Sequence, residues 1–180
     1  MSTIVFFHAH PDDEALSTAG TMALLSESGN RVILVVATRG EEGEPVPGVL
    51  KEGELLEERR TEELIKSADL LGVARVEFLN YRDSGMIDSP STSNPECFWQ
   101  ADVEEASLRL ADLLCDETVD LLVIYDPNGG YGHPDHIQVH RVGTYWSDHI
   151  GLKNIRWTTL NRDSIKKTIE LAMETAPDEG

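Results

Sequence analysis

Two short segments of the sequence combine histidine and aspartate around a proline. The first is HAHPDDE at residues 8–14, and the second is YGHPDH at residues 131–136. The chain has only six histidines, so chance is a poor explanation for the same chemistry at two places. Imidazole nitrogen and carboxylate oxygen are suitable ligands for zinc. The two segments together therefore predict a metal site.

The ligand set follows from what a catalytic zinc ion needs. Such an ion usually has three protein ligands and an open position for water. His10, Asp13 and His136 could supply the three ligands. Asp12 would then lie beside the metal without binding it. A free carboxylate in that place can accept a proton from a metal-activated water, as a general base.

Other roles for some of these residues stay open. Either Asp12 or Asp13 could be the N-cap of the following helix, where aspartate is a preferred residue. One aspartate can cap the helix while the other binds metal, so the two roles do not exclude each other. His140 shares a predicted helix face with His136, and by itself it indicates a packed histidine rather than a ligand. His149 has no companion and is predicted to lie at the surface.

The predicted elements place both segments directly after buried strands. Apolar runs predict strands, and helical spacing predicts helices between them. The strands are expected at residues 3–8, 31–37, 75–79, 119–125 and 155–160, and the helices at 14–28, 51–71, 101–116, 134–148 and 163–175. This alternation indicates an α/β fold with a Rossmann-like, open, doubly wound, mainly parallel sheet flanked by helices. In such sheets the ligand crevice lies beyond the C-terminal ends of the strands, where both segments fall.

Length, charge and cysteine content exclude several classes of protein. A chain of 180 residues fits one domain over residues 1–180. No stretch approaches the ~20 apolar residues that a membrane span needs, and the N-terminus reads as a strand, not as a signal peptide. The net charge of -18 repels phosphates and anionic membrane surfaces, so it argues against nucleic-acid and membrane partners. Cys97 and Cys115 lack Cys-x-x-Cys spacing and are predicted to be free thiols in a reducing cytoplasm.

The same motifs also carry a family resemblance. AHPDDE at residues 9–14 and GHPDH at 132–136 resemble the two signatures of the zinc-dependent N-acetylglucosaminyl deacetylases, which include the LmbE-like proteins and the GlcNAc-phosphatidylinositol de-N-acetylases (PIG-L). RDSGM at 82–86 and DPNGG at 126–130 are closest to the mycothiol-pathway branch of that family in actinobacteria. Family chains usually continue past the point where this one stops. The resemblance therefore implies one deacetylase domain that could lack a C-terminal segment.

The resemblance implies a reaction and its cofactor. We expect zinc-dependent removal of an acetyl group from a small-molecule N-acetylated amino sugar, with Fe²⁺ as an alternative metal. The expected location is the cytoplasm. Exposed apolar positions within residues 140–160 could form an interface between copies of the chain, so a homo-oligomer stays open as an alternative.

The resemblance also assigns a role to each matching residue. His10, Asp13 and His136 resemble the metal ligands, and Asp12 resembles the general base. His133 resembles the residue that steadies the oxyanion, Asp135 its orienting partner, and Tyr131 a phenol that polarises the carbonyl. Glu44, Arg60 and Asp83 resemble sugar-binding positions.

Other functions stay in competition with this one. A degenerate sugar- or metal-binding module of the same fold would not need both Asp12 and His133, and an amidase acting on a mycothiol S-conjugate would use the same chemistry. A nucleotide-binding protein is disfavoured because Gly-x-Gly-x-x-Gly is missing after the first strand.

The role of Arg60 also has an alternative. Arg60 could be only a solvated charge of its helix, amid glutamates that form weak surface ion pairs.

Overall fold

A computed structural model of the chain describes residues 1–159 and 161–175. The strands are β1 (Thr3–His8), β2 (Arg31–Val36), β3 (Arg75–Phe78), β4 (Leu121–Tyr125) and β5 (Ile155–Thr158). The helices are α1 (Asp13–Ser17), α2 (Ala19–Glu27), α3 (Leu56–Leu70), α4 (Val103–Leu113), α5 (Gly129–Gly132), α6 (Pro134–Ile150) and α7 (Arg162–Thr175). Within the described ranges no helix is both long and apolar enough to cross a membrane.

The five strands form one sheet in the order β3-β2-β1-β4-β5, and every neighbouring pair is parallel. The predicted doubly wound α/β fold is therefore confirmed. The strand order reverses between β1 and β4, which lie side by side at the centre. In open α/β sheets the ligand crevice forms beyond the C-terminal ends of the strands at this switch point.

Successive strand residues point to opposite faces of the sheet. Both faces present apolar side chains, so helices cover both of them. On one face, Val5 and Phe7 pack in a core with side chains of α4 and α6. On the other face, Ile4 and Phe6 pack in a core with side chains of α2 and α3. Strands buried on both faces explain why the runs at residues 3–8 and 31–37 are apolar throughout rather than alternating.

The predicted elements all form, with differences at their boundaries. The helix expected at residues 14–28 is two helices, because Thr18 leaves the helical conformation and its hydroxyl lies 2.8 Å from the Nε2 atom of His8. Leu16 and Leu24 are exposed, and Met22 alone of α2 is fully buried. Helix α3 begins at Leu56 rather than at residue 51.

Two further boundaries concern the second half of the chain. Between β3 and α4 the chain forms two short 3-10 turns, Pro90–Ser93 and Phe98–Gln100. The strand expected at 155–160 ends at Thr158, and residue 160 lies outside the described residues. Both cysteines are free, as predicted.

Candidate active site

A cavity of about 610 Å³ opens at the C-terminal ends of β1 and β4. The loop after β1 brings His10, Asp12 and Asp13 to it, and the short segment after β4 brings Tyr131, His133 and His136. Arg60 from α3 and Asp83 from the loop after β3 also line it. Eight of the ten residues predicted from the sequence thus meet at one cavity. The other two, Asp135 and Glu44, do not line it.

Asp13 lies between two imidazole rings. Its Oδ2 atom is 3.3 Å from Nδ1 of His10, and its Oδ1 atom is 3.2 Å from Nε2 of His136. The backbone N–H of His10 also donates to Oδ2 at 2.7 Å, which fixes the carboxylate. All three side chains are buried.

His136 provides the test of whether these residues fit a metal ion. Its Nε2 atom is buried and has no hydrogen-bond partner among residues 1–159 and 161–175, although Oδ1 of Asp13 is 3.2 Å away. Buried nitrogen atoms of this kind are normally satisfied. Two ligands of one tetrahedral zinc ion, each about 2.0 Å from the metal, lie about 3.3 Å apart. The spacing and the unsatisfied nitrogen therefore fit a divalent metal held by His10, Asp13 and His136.

Three buried carboxylates surround the His10 ring. Besides Asp13, Asp135 Oδ2 lies 3.2 Å and Asp83 Oδ1 lies 3.4 Å from Nε2. Burial alone would lower the pKa of His10, but these three carboxylates raise it well above the usual value. So much buried negative charge requires a cation, either a proton on the imidazole or a metal ion. Nε2–H donates to Asp135, so Nδ1 is the nitrogen that faces Asp13 and would bind a metal.

His133 meets the same cavity in a different role. Its ring lies 4.5 Å from that of His10 and 5.1 Å from that of His136, so three histidine nitrogens come close enough to share a metal. However, Nδ1 of His133 caps α6 by accepting the backbone N–H of Asp135 at 3.1 Å. Burial lowers the pKa of His133 to about 4, which makes the ring neutral with its proton on Nε2. That nitrogen is a hydrogen-bond donor, so His133 is disfavoured as a ligand.

The backbone of Asp12, at the mouth of the site, is strained. Its φ of 108° is in the left-handed region that residues other than glycine rarely adopt. It occupies the N-cap position of α1 but its side chain makes no capping hydrogen bond, and Asp13 does not cap either. Asp12 is thus the N-cap residue, as one of the alternatives expected, although its side chain does not cap, and the alternative is wrong for Asp13. Burial raises the pKa of Asp12 and the Arg60 guanidinium partly lowers it, with a net upward shift that suits a general base.

Arg60 is not a solvated helix charge. Its Nη2 atom donates to Oδ2 of Asp12 at 2.5 Å, and its Nη1 atom donates to the carbonyl of Gly40 at 2.6 Å. A side chain on α3 thus holds the candidate general base and the loop after β2 at the same time.

The last four predicted residues lie at different places relative to the cavity. Tyr131 is 64% exposed at the cavity edge, with its ring 5.0 Å from that of His136. Asp83 is buried and accepts the backbone N–H groups of Gly85 and Glu42. The carboxylate of Asp135 contacts His10 instead of orienting His133, which it meets only through its backbone N–H. Glu44 is exposed, and Glu42 is the acidic residue of that loop which lines the cavity.

Of the histidines outside the site, His140 and His149 match their predicted roles. His140 is packed, with Nδ1 2.9 Å from the carbonyl of Tyr125 and its ring against Trp157. His149 is exposed. His8 is buried between the hydroxyls of Tyr125 and Thr18, and burial lowers its pKa to about 4.

Sequence reasoning did not single out three buried residues around the site. Tyr125 stacks on His136 with ring centroids 4.0 Å apart. Glu14 accepts the backbone N–H of Asp12 at 3.0 Å and the Ser67 hydroxyl at 2.7 Å. Ser84 donates both its hydroxyl and its backbone N–H to Asp135. Glu14 stands inside AHPDDE and Ser84 inside RDSGM, so their position in these quoted segments was the one available signal.

Comparison with known proteins gives consistent relatives. The 1D-myo-inositol 2-acetamido-2-deoxy-alpha-D-glucopyranoside deacetylase of Thermomonospora curvata is 47% identical over 148 residues, which are 77% of this chain and 50% of that protein. Its namesake in Thermobifida fusca is 48% identical over 149 residues, 77% of this chain and 52% of that protein. The chain spans about half the length of these curated relatives.

A solved structure supports the same assignment. The N,N'-diacetylchitobiose deacetylase of Pyrococcus horikoshii, in complex with an inhibitor, superposes with a TM-score of 0.67 at 25% identity. The match covers 99% of this chain and 72% of that one. Residues 5–147 also match the PIG-L family, described as GlcNAc-PI de-N-acetylase. The matched range includes both motifs, and residues of both motifs line the cavity. The chain therefore belongs to the PIG-L family of de-N-acetylases.

Proposed function

We propose that this protein is a metal-dependent N-deacetylase that hydrolyses the acetamide of an N-acetylglucosamine-containing small molecule. One observation carries the proposal: the Asp12 carboxylate and the His133 imidazole line the same cavity as the donor set of His10, Asp13 and His136. Membership of the family and the activity for which the relatives are named support amide hydrolysis of an N-acetylglucosaminyl-inositol. The intact Asp12 and His133 speak against a module that only binds.

The metal would be held by His10 through Nδ1, by Asp13 and by His136. We assign Zn²⁺, with Fe²⁺ as an alternative, because two imidazoles and one carboxylate suit a catalytic zinc site. A bound divalent cation supplies a Lewis acid that polarises the amide carbonyl and lowers the pKa of water.

Asp12 would transfer the proton, and His133 would stabilise the negative charge that develops on the carbonyl oxygen. Asp12 accepts a proton from the attacking water while the new C–O bond forms, and it returns a proton to the leaving nitrogen as the C–N bond breaks. Arg60 occupies only Oδ2 of Asp12, so the other oxygen is left for the proton. The Nε2–H of His133 donates to the oxygen that becomes negative in the tetrahedral intermediate. The products are acetate and a free amine.

Three residues are proposed to form the substrate side of the site. Arg60 and Asp83 line the cavity and are proposed to contact the sugar, and Tyr131 is proposed to help polarise the carbonyl. The role of Glu44 stays a prediction, because the residue is exposed outside the cavity. A cavity of about 610 Å³ has the size usual for small-molecule sites. The free cysteines support a cytoplasmic location.

The test is acetate release from a panel of N-acetylglucosaminides that carry inositol, a methyl group or a second sugar. We expect turnover by the zinc-loaded protein with the inositol glycoside, and loss of turnover with retained metal in Asp12→Asn. Asp88→Asn, an exposed aspartate outside the cavity, is the matched control and should remain active. Undiminished turnover by Asp12→Asn would remove the general-base assignment, and no turnover on any amide would remove the proposed function.

A further inference from the structure

Ser84 lies behind the site and is fully buried. Its backbone N–H donates to Oδ2 of Asp135 at 3.0 Å, and its hydroxyl donates to Oδ1 of the same carboxylate. The hydroxyl oxygen accepts the backbone N–H of Trp99 at 2.9 Å, which sets the direction of the O–H bond. Ser84 does not line the cavity and so has no route to a substrate.

Asp135 connects Ser84 to the metal site. Its side chain is fully buried, and its Oδ2 atom is 3.2 Å from Nε2 of His10. The carboxylate thus has three hydrogen-bond donors, two from Ser84 and one from His10. A buried carboxylate is held in place by the donors that satisfy it, so Ser84 fixes both its position and the plane of its oxygens.

We propose that Ser84 is a positioning residue for the metal: it holds Asp135 so that Asp135 keeps the proton of His10 on Nε2 and leaves the lone pair on Nδ1. The proposal rests on the metal site of the proposed function and adds a residue to it. Histidine ligands generally donate their other ring N–H to a carboxylate, and loss of that support costs about 10–100-fold in metal affinity. Nδ1 is the nitrogen that faces Asp13, so the wrong tautomer would place a proton where the metal belongs.

The first experiment measures zinc affinity without substrate. Protein stripped of metal is titrated with Zn²⁺ against a competing chelator, for the unaltered chain, Ser84→Ala and Ser147→Ala. Ser147 is the matched control, because it is a fully buried serine whose hydroxyl donates to the carbonyl of Thr144 in its own helix and to no other group in the part of the chain that the structure describes. We expect about 10–100-fold weaker binding for Ser84→Ala and an unchanged affinity for Ser147→Ala. Affinity of Ser84→Ala within twofold of the unaltered chain overturns the proposal.

A double-mutant cycle separates positioning from general damage to the loop. If Ser84 acts through Asp135, the effects of Ser84→Ala and Asp135→Asn on zinc affinity are less than additive. Fully additive effects overturn the proposal, because Ser84 would then act by another route. These affinities do not depend on turnover. A chain with the expected affinities but no deacetylation would therefore support the role of Ser84 while contradicting the proposed function.

A measurement on the unaltered chain applies even where Ser84→Ala fails to fold. The ¹⁵N signals of the His10 ring in zinc-loaded protein report which nitrogen carries the proton. We expect a protonated Nε2 and a metal-bound Nδ1. The opposite assignment overturns the proposal.

Discussion

Arg60 donates a hydrogen bond from Nη2 to Oδ2 of Asp12 at 2.5 Å, across 48 positions of sequence. The Arg60 side chain is 19% exposed, while that of Asp12 is 50% exposed. The more buried partner is therefore the arginine on a rigid helix, and it fixes the aspartate on the loop. The resemblance placed Arg60 among sugar-binding residues, whereas this contact adds a role in positioning the candidate base.

Replacement of Arg60 separates these two roles by steady-state kinetics. In Arg60→Ala the Asp12 carboxylate loses its fixed position, so we expect kcat to fall about 100-fold, as displacement of a catalytic group by about 1 Å can do. KM should rise as well, because Arg60 is also proposed to contact the sugar. A residue that only binds the sugar would instead raise KM and leave kcat unchanged.

Arg59→Ala is the control for this experiment. Arg59 is the adjacent arginine of α3, but it pairs with Glu54 at 2.8 Å and does not line the cavity. Its loss should leave both kinetic constants near those of the unaltered chain. A rise in KM alone for Arg60→Ala would argue against positioning.

The strained backbone of Asp12 gives a prediction about stability. Glycine adopts a φ of 108° without the steric cost that a Cβ atom imposes, whereas alanine retains that cost. Asp12→Gly should therefore be about 1 kcal/mol more stable than Asp12→Ala, by denaturant unfolding of metal-free protein. Both variants lose the carboxylate and the pairing with Arg60, so the comparison isolates the backbone. Equal stability would mean that the site stores no such strain.

His133 and His136 should differ in their effect on metal binding. His136→Ala removes a proposed ligand, so zinc should no longer stabilise the protein against unfolding. For the unaltered chain we expect zinc at 100 times its Kd to add about 2.7 kcal/mol to the free energy of unfolding. His133→Asn should keep this stabilisation, because asparagine can still cap α6 and His133 is not among the proposed ligands.

The activity of His133→Asn completes the comparison. The variant loses the donor to the oxyanion, so kcat should fall about 10²–10³-fold at saturating zinc. If His133→Asn also lost the zinc-induced stabilisation, His10, His133 and His136 would be the ligand set instead.

The sequence predicted the site better than it predicted the residues that support it. Runs of β-branched and aromatic residues mark β1 and β4, and the general rule for parallel sheets places their following loops at one crevice. The support depends on contacts between distant segments. Ser84 lies in a polar segment that reads as a loop, yet it is fully buried against Asp135, 51 positions away. Local periodicity carries no signal for such a contact.

The interruption at Thr18 has a similar cause. Helical spacing continued through residues 14–28, but the Thr18 hydroxyl contacts His8 on the buried end of β1. Tertiary contacts therefore override the local pattern here. Leu16 in α1 is apolar yet 84% exposed, and it lines the cavity.

Gly129 supplies a last test, because it fixes where His136 can lie. Its φ is +62°, and a Cβ atom built there would be 2.8 Å from Cβ of His136 and 2.8 Å from the backbone nitrogen of Ile137. Gly129→Ala should therefore displace His136, weaken zinc binding and destabilise the metal-free protein. Gly151→Ala is the control, since Gly151 has a similar φ of +73° but nothing within 4 Å of an added Cβ atom.

The two variants share the cost of a left-handed alanine, about 1–2 kcal/mol. Gly129→Ala adds the cost of overpacking, about 1–3 kcal/mol, so it should be the less stable of the two in denaturant. Only Gly129→Ala should lower zinc affinity in chelator competition, because only its side chain meets a proposed ligand. If both variants bound zinc as tightly as the unaltered chain, the close approach of Gly129 would not control the position of His136.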